Sequence, residues 1–111
     1  MADRRPAIVL TTLADRTEAE HMADTLVAEK LAACVNRVGV ASTYRWQGGI
    51  EHAEEVLLVI KTATDLWPLL RARIQEISSY QVPEVLEIDV SRGEGSYLRW
   101  LFDCVPPPRT G

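Results

Sequence analysis

The feature that most restricts the fold of this 111-residue chain is a pair of long strand-like segments, residues 33–47 and 50–62. Gly48 and Gly49 lie between them, and glycine is favoured in tight hairpin turns because it accepts positive φ. Both segments are longer than the usual strand of about 5–6 residues. We therefore predict a β-hairpin that turns at Gly48 and Gly49, with a tip that projects beyond a small domain.

The predicted register places Trp46 opposite Glu51, Ser42 opposite Glu55 and Asn36 opposite Lys61. Successive side chains of a strand point to opposite faces. One face of the hairpin then carries Asn36, Val38, Val40, Ser42, Tyr44, Trp46, Glu55, Leu57, Val59 and Lys61. The other face carries Val35, Ala41, Val56, Leu58 and Ile60. Both faces are apolar in the middle, whereas the antiparallel sheet of a monomer normally keeps one face polar.

Hydrophobic patterning predicts a strand and a helix before the hairpin. Residues 7–13 form a short apolar, β-branched segment that is typical of a buried strand. Apolar residues at helical spacing then predict a helix from about residue 16 to residue 31. Asp15 is the predicted N-cap, and Glu18, three positions later, completes a capping-box pattern.

A helix, a strand and a short helix are predicted after the hairpin. Thr64 or Asp65 would cap the second helix, whose first turn tolerates Pro68. Its predicted buried face consists of Leu66, Leu69, Leu70, Ile74 and Ile77. Residues 85–90 are the predicted last strand, and residues 96–103 are the predicted terminal helix.

The order β-α-β-β-α-β with an added C-terminal helix predicts an α+β, ferredoxin-like fold. In this fold both helices pack on one face of an antiparallel sheet. We expect a single domain over residues 1–105 with a protruding hairpin, and a flexible proline-rich tail over residues 106–111.

The second apolar face of the hairpin requires a cover. Either another subunit supplies it, or the terminal helix does with Leu98, Trp100 and Leu101. A helix of about two turns is too short to cover two long strands, so we predict an oligomer. Glu55 and Lys61 lie on this face, and charges among apolar residues need a partner across an interface or a wet cleft.

Composition narrows the functional class. With 12 Lys and Arg against 16 Asp and Glu, the net charge is -4, which disfavours nucleic acid or an anionic membrane as a partner. Two cysteines are too few for a disulfide framework, and no segment reads as a signal peptide or membrane span. The expectation is a cytoplasmic protein. Nucleophile-elbow, P-loop, HExxH and CxxC motifs are absent from the sequence, which favours a non-enzymatic role.

Two histidines are candidate metal ligands. His21 lies beside Glu18 and Asp24 at helical spacing, and His52 lies in the acidic segment at the hairpin tip. Both sets are explained more simply as solvated surface charges than as metal sites.

Five segments resemble the CutA family in order and spacing, over about residues 8–101. They are LVAEKLAACVNRV, STYRWQGGIE, VIKT, SYQVPEVL and GSYLRWL. The resemblance implies a ferredoxin-like homotrimer assembled through the hairpin strands, with an architecture similar to the PII signal-transduction proteins. It also implies a role in tolerance of divalent cations, especially copper, and no established enzymatic activity. The positions that it implies at the cleft between subunits are Tyr44, Trp46, Glu55, Lys61, Tyr80 and Glu84.

The metal ligands of the family are not matched in this sequence. Copper-binding members have a cysteine at the end of the first strand and histidines just ahead of the P-Y-x-x-P-E segment. Thr11, Ile77 and Ser78 occupy those positions here, and Ser79 replaces the first proline. Because none of these is a soft-metal ligand, we expect no cofactor beyond weak divalent metal binding, such as copper.

Three functional hypotheses follow from the sequence. The first is a trimeric, non-enzymatic protein of the response to divalent metal ions. The alternative is a PII-like regulatory module that binds a small metabolite or a partner protein between subunits, although no glycine loop for phosphate is present. The third is a purely structural trimer whose cleft charges serve assembly.

Overall fold

A computed structural model describes residues 4–109 of the chain. Its elements are β1 (Pro6–Leu13), α1 (Arg16–Ala28), β2 (Cys34–Trp46), β3 (Gly49–Ala63), α2 (Trp67–Ile77), β4 (Leu86–Asp89) and α3 (Gly95–Cys104). The strands form one antiparallel sheet in the order β2-β3-β1-β4. This order, with helices in the two crossovers, confirms the predicted ferredoxin-like α+β fold.

The main core lies between the sheet and helices α1 and α2. Residues of β1 alternate between buried and half-buried, as a strand with one covered face requires. The fully buried side chains of this core include Val9, Leu13, Met22, Leu26, Leu58, Ile60, Leu70 and Ile74. A smaller core of Ala33, Ala63, Leu66, Leu101 and Val105 holds α3 at one end of the sheet. Helix α3 therefore does not lie across the hairpin.

The hairpin turns one residue earlier than predicted. Trp46 pairs with Gly49, and the two turn residues are Gln47 and Gly48, with φ of 48° and 83°. Positive φ at both central residues matches the twist of the strands. The register therefore differs from the prediction by two residues, so that Lys61 lies opposite Cys34 rather than Asn36. A shift of two residues leaves every side chain on its predicted face.

Helix α1 begins as predicted and ends earlier. The Glu18 N–H donates to the Asp15 carboxylate at 2.8 Å, which confirms the N-cap. The helix stops at Ala28 because Lys30 adopts φ of 62° and directs the Leu31 N–H back to the Leu26 carbonyl at 2.9 Å. This is a Schellman ending with lysine in the place that glycine usually takes.

Helix α2 differs from the prediction at its start and in its buried face. A 3-10 turn, Thr64–Leu66, precedes it, and neither Thr64 nor Asp65 caps the α-helix. The Thr64 hydroxyl instead accepts from the Arg5 N–H at 3.0 Å, and Asp65 pairs with Arg4 at 2.8 Å. Leu69 was predicted to be buried, but its side chain is 50% exposed.

The face of the sheet opposite α1 and α2, which we call the open face, is contacted by Tyr80 at Glu55 and is partly exposed in its middle. Its apolar members are Ile8, Leu10, Val38, Val40, Leu57, Val59, Leu86 and Ile88. Val38 is 45% exposed, and Leu86 and Ile88 are about half exposed. The two helices therefore cover one face only, as the sequence predicted.

The last strand and the last helix differ slightly in length from the prediction. Strand β4 is shorter than predicted, and α3 is one residue longer at each end. Residues 106–109 have no regular secondary structure, while residues 1–3 of the predicted domain and 110–111 of the predicted tail lie outside the described residues. No helix in the described part of the chain is long and apolar enough to cross a membrane.

Candidate functional site

A cleft of about 340 Å³ opens beside the hairpin, between the arms of β2 and β3 and the segment that joins α2 to β4. It is lined by Thr12, Tyr44, Trp46, Glu55, Tyr80, Gln81, Val82 and Glu84. Tyr44 and Trp46 are two residues apart on β2, so strand alternation places both on the same face. Their side chains are 44% and 40% exposed, so aromatic surface is accessible within the cleft.

The Tyr80 hydroxyl donates to Oε2 of Glu55 at 2.6 Å. Burial, followed by this hydrogen bond and the charge of Glu55, raises the pKa of Tyr80 well above its usual value. The phenol therefore stays protonated at neutral pH and remains a donor to the carboxylate. The contact gives Glu55 the partner that the sequence required, and the partner lies in the same chain.

Tyr80 is positioned by hydrogen bonds that involve the two serines before it, Ser78 and Ser79. The Glu18 carboxylate accepts from the Ser79 N–H at 2.8 Å and from the Ser79 hydroxyl at 2.9 Å, and the Tyr80 N–H donates to Oγ of Ser78 at 3.2 Å. The predicted capping box assigned this carboxylate to its own helix terminus. It instead ties α1 to the segment that supplies one wall of the cleft.

The structure brings together five of the six predicted cleft residues: Tyr44, Trp46, Glu55, Tyr80 and Glu84. Lys61 does not line the cleft. It donates to the side chain of Asn36, and it lies six residues from Glu55 along β3, or about 20 Å at the rise of an extended strand. Thr12, Gln81 and Val82 were not predicted; the signals for them were the alternation of β1 and the position of Gln81 and Val82 between Tyr80 and Glu84.

The positions that the resemblance implies for copper do not line this cleft. Thr11 is fully buried on the helix side of β1, and its hydroxyl has no hydrogen-bond partner among residues 4–109. Ile77 ends α2, and Ser78 follows it. His21 and His52 are both exposed. Within residues 4–109, no three His, Cys, Asp or Glu side chains are grouped so that they could hold a metal ion.

The strand order, the long hairpin and the cleft define a small ferredoxin-like α+β protein. One face of its sheet is not covered by α1 or α2. Residues 7–104 match the family model described as CutA1 divalent ion tolerance protein. The chain therefore belongs to the CutA1 family, which confirms the resemblance found in its sequence.

Curated relatives and solved structures agree with this assignment. The divalent-cation tolerance protein CutA of Thermus thermophilus is 42% identical over 95 residues, which are 85% of this chain and 92% of the relative. The Pyrococcus horikoshii protein of the same name is 42% identical over 96 residues, 86% of this chain and 94% of the relative. The structure of CutA1 from Oryza sativa has a TM-score of 0.88 and 35% identity, covering 92% of this chain and 95% of that structure.

Proposed function

We propose that the chain is a non-enzymatic protein of divalent-metal-ion tolerance, copper included, that works as a homotrimer and binds metal weakly or not at all. The observation that supports the assembly best is the open face. Its apolar pairs, such as Ile8 with Ile88 and Leu10 with Leu86, continue across neighbouring strands. Contiguous apolar surface of this kind marks an interface in a globular protein. The count of three rests on the family resemblance.

The composition of the cleft supports a role without catalysis. Among the described residues its lining contains no histidine, cysteine, serine or lysine, so it lacks a serine or cysteine nucleophile paired with a histidine base. Glu55 is engaged by a tyrosine whose pKa is raised, so that this phenol does not act as a base near neutral pH.

The subunit count is tested by native mass spectrometry of the freshly purified protein. We expect a species of about 37 kDa, three times the chain mass of 12.4 kDa, which persists on dilution. Additional mass on the trimer would reveal a retained ligand. A single species at the chain mass, or at twice that mass, would refute the proposed trimer.

Metal binding is tested by calorimetric titration with Cu²⁺ and Zn²⁺. We expect no tight, stoichiometric binding, because both metals favour histidine and cysteine ligands and Thr11, Ile77 and Ser78 supply neither. The matched variants are His21→Ala and His52→Ala. Tight binding by the unmodified protein that either variant abolishes would contradict the expectation and identify the site.

The cleft favours a second candidate function, that of a PII-like regulatory module that binds a small metabolite. A volume of about 340 Å³ lies in the range of small-molecule sites, about 300–1,000 Å³, and such sites combine aromatic walls with a few polar groups. Tyr44, Trp46 and Tyr80 supply the walls, and Glu55 and Glu84 supply the charged groups. In an assembly, neighbouring subunits would close the cleft further.

A further inference from the structure

We propose that the cleft selects a small organic cation, an amine or quaternary ammonium compound. The binding groups are the rings of Tyr44 and Trp46 and the carboxylates of Glu55 and Glu84. The inference rests on the second proposed function, ligand binding in the cleft, and specifies the chemical class of that ligand.

The charge of the cleft lining favours a cationic ligand. Among the described residues of one subunit, the cleft is lined by two carboxylates, Glu55 and Glu84, and by no Lys, Arg or His side chain. Within residues 4–109 neither carboxylate forms an ion pair, since the basic side chains that do so engage other acidic residues. Lys61, on the same strand as Glu55, is engaged by Asn36 instead. Negative charge in a concave site attracts cations and repels anions.

The aromatic rings of the cleft also favour a cationic ligand. The faces of tryptophan and tyrosine rings carry partial negative charge and attract a cation within about 6 Å, with tryptophan the strongest. Tyr44 and Trp46 line the cleft with 44% and 40% of their side chains exposed. Aromatic rings beside carboxylates are the combination that recognises ammonium groups which also carry apolar substituents.

Glu55 is positioned by a hydrogen bond before such a ligand binds. Its Oε2 accepts from the Tyr80 hydroxyl at 2.6 Å, and a carboxylate offers about four acceptor sites in all. The raised pKa of Tyr80 keeps this donor protonated. Glu18 holds the adjacent Ser79 through two hydrogen bonds, so the tyrosine is fixed before the ligand arrives, which lowers the cost of binding.

Bare divalent metal ions fit this cleft poorly. Calcium takes about 6–8 oxygen ligands and zinc takes about four, mostly nitrogen or sulfur. The cleft has two carboxylates and no histidine or cysteine. A volume of about 340 Å³ also exceeds that of a single ion, since one water occupies about 30 Å³ of the liquid. The site suits an organic molecule.

The test compares three probes of nearly equal shape in an NMR chemical-shift titration. They are choline, its neutral analogue 3,3-dimethyl-1-butanol, and the anion 3,3-dimethylbutanoate. We expect choline to bind about tenfold or more tightly than the alcohol, and the anion to bind most weakly. Trp46→Ala should weaken choline binding, and Glu55→Gln should reduce the preference for choline over the alcohol.

Glu54→Gln is the matched control. Glu54 is exposed and is adjacent to Glu55 on β3, so it lies on the other face of the sheet and does not line the cleft. This variant loses the same charge as Glu55→Gln and should keep the full preference for choline. Loss of the preference in both variants would show an effect of net charge alone and would overturn the assignment to Glu55.

The remaining outcomes separate this inference from the proposed functions. Equal binding of all three probes would leave the cleft as a ligand site and overturn the cationic class. Absence of saturation by any probe up to about 10 mM would overturn the inference, while the regulatory function would be decided separately by the ligand mass retained on the native protein. The trimer is decided independently by native mass, which is also measured for each variant to show that assembly is intact.

Discussion

The Val38→Glu variant is expected to lose the proposed trimer and to run as a 12.4 kDa monomer. Val38 lies opposite Leu57 in the middle of the open face and is 45% exposed in the isolated subunit. Assembly through this face would bury one carboxylate per subunit without a cationic partner, and each such burial costs several kcal/mol. The measurement is size-exclusion chromatography with light scattering over a range of protein concentrations.

The matched control for this variant is Val27→Glu. Val27 is 43% exposed, almost the same fraction as Val38, but it belongs to α1 on the opposite side of the sheet. This variant should keep the mass of about 37 kDa, three times that of the chain. If Val38→Glu also keeps that mass, the subunits associate through another surface and the open face requires a different explanation.

The Leu58→Ala variant is expected to lower the free energy of unfolding by about 2–5 kcal/mol. Leu58 is 0% exposed and lies on β3 in the main core, so its removal leaves a cavity as well as a loss of buried apolar surface. The measurement is denaturant unfolding at one fixed protein concentration, because association makes apparent stability depend on concentration.

Leu69→Ala provides the comparison at an exposed position. The same atoms are removed from a side chain that is 50% exposed, and the expected change is within about 0.5 kcal/mol. Equal losses in the two variants would contradict the core described here. The pair also tests the burial of Leu69, which helical spacing predicted and which its 50% exposure contradicts.

The faces of the hairpin could be predicted from sequence even though the register could not. Glycine is the expected residue at both central positions of the turn, and this expectation favoured Gly48 and Gly49. The chain instead places Gln47 in the left-handed region and uses Gly49 to begin β3. Because the resulting error was an even number of residues, the alternation that predicts an uncovered face was unaffected.

The helix ends were less predictable, for a reason visible at Leu31. This side chain packs against the main core although it lies beyond the end of α1. Its apolar character therefore continued the helical pattern through a region where Lys30 has already turned the backbone. A lysine at that position gives no sequence signal for the end of a helix, unlike the usual glycine.

Only some of the cleft residues could be predicted from the sequence itself. Alternation along β2 and β3 places Tyr44, Trp46 and Glu55 on one face, which needs no knowledge of tertiary structure. Tyr80 and Glu84 come from a segment without regular secondary structure; Glu84 could be proposed as a polar pocket residue, whereas Tyr80 was grouped with the hairpin only by the family resemblance. Lys61 shares the face with Glu55 but does not line the cleft within one subunit, so its place in a cleft between subunits stays a prediction.

The alternation of side chains along β2 and β3 limits the changes in hairpin length that evolution can make. Gain or loss of one residue in either arm would turn all side chains beyond that point to the other face, unless a bulge absorbs it. Such an event near the turn would direct Tyr44 and Trp46 away from the cleft while the core near Leu58 and Ile60 stayed intact. Homologous hairpins are therefore expected to differ by an even number of residues in each arm, or by none.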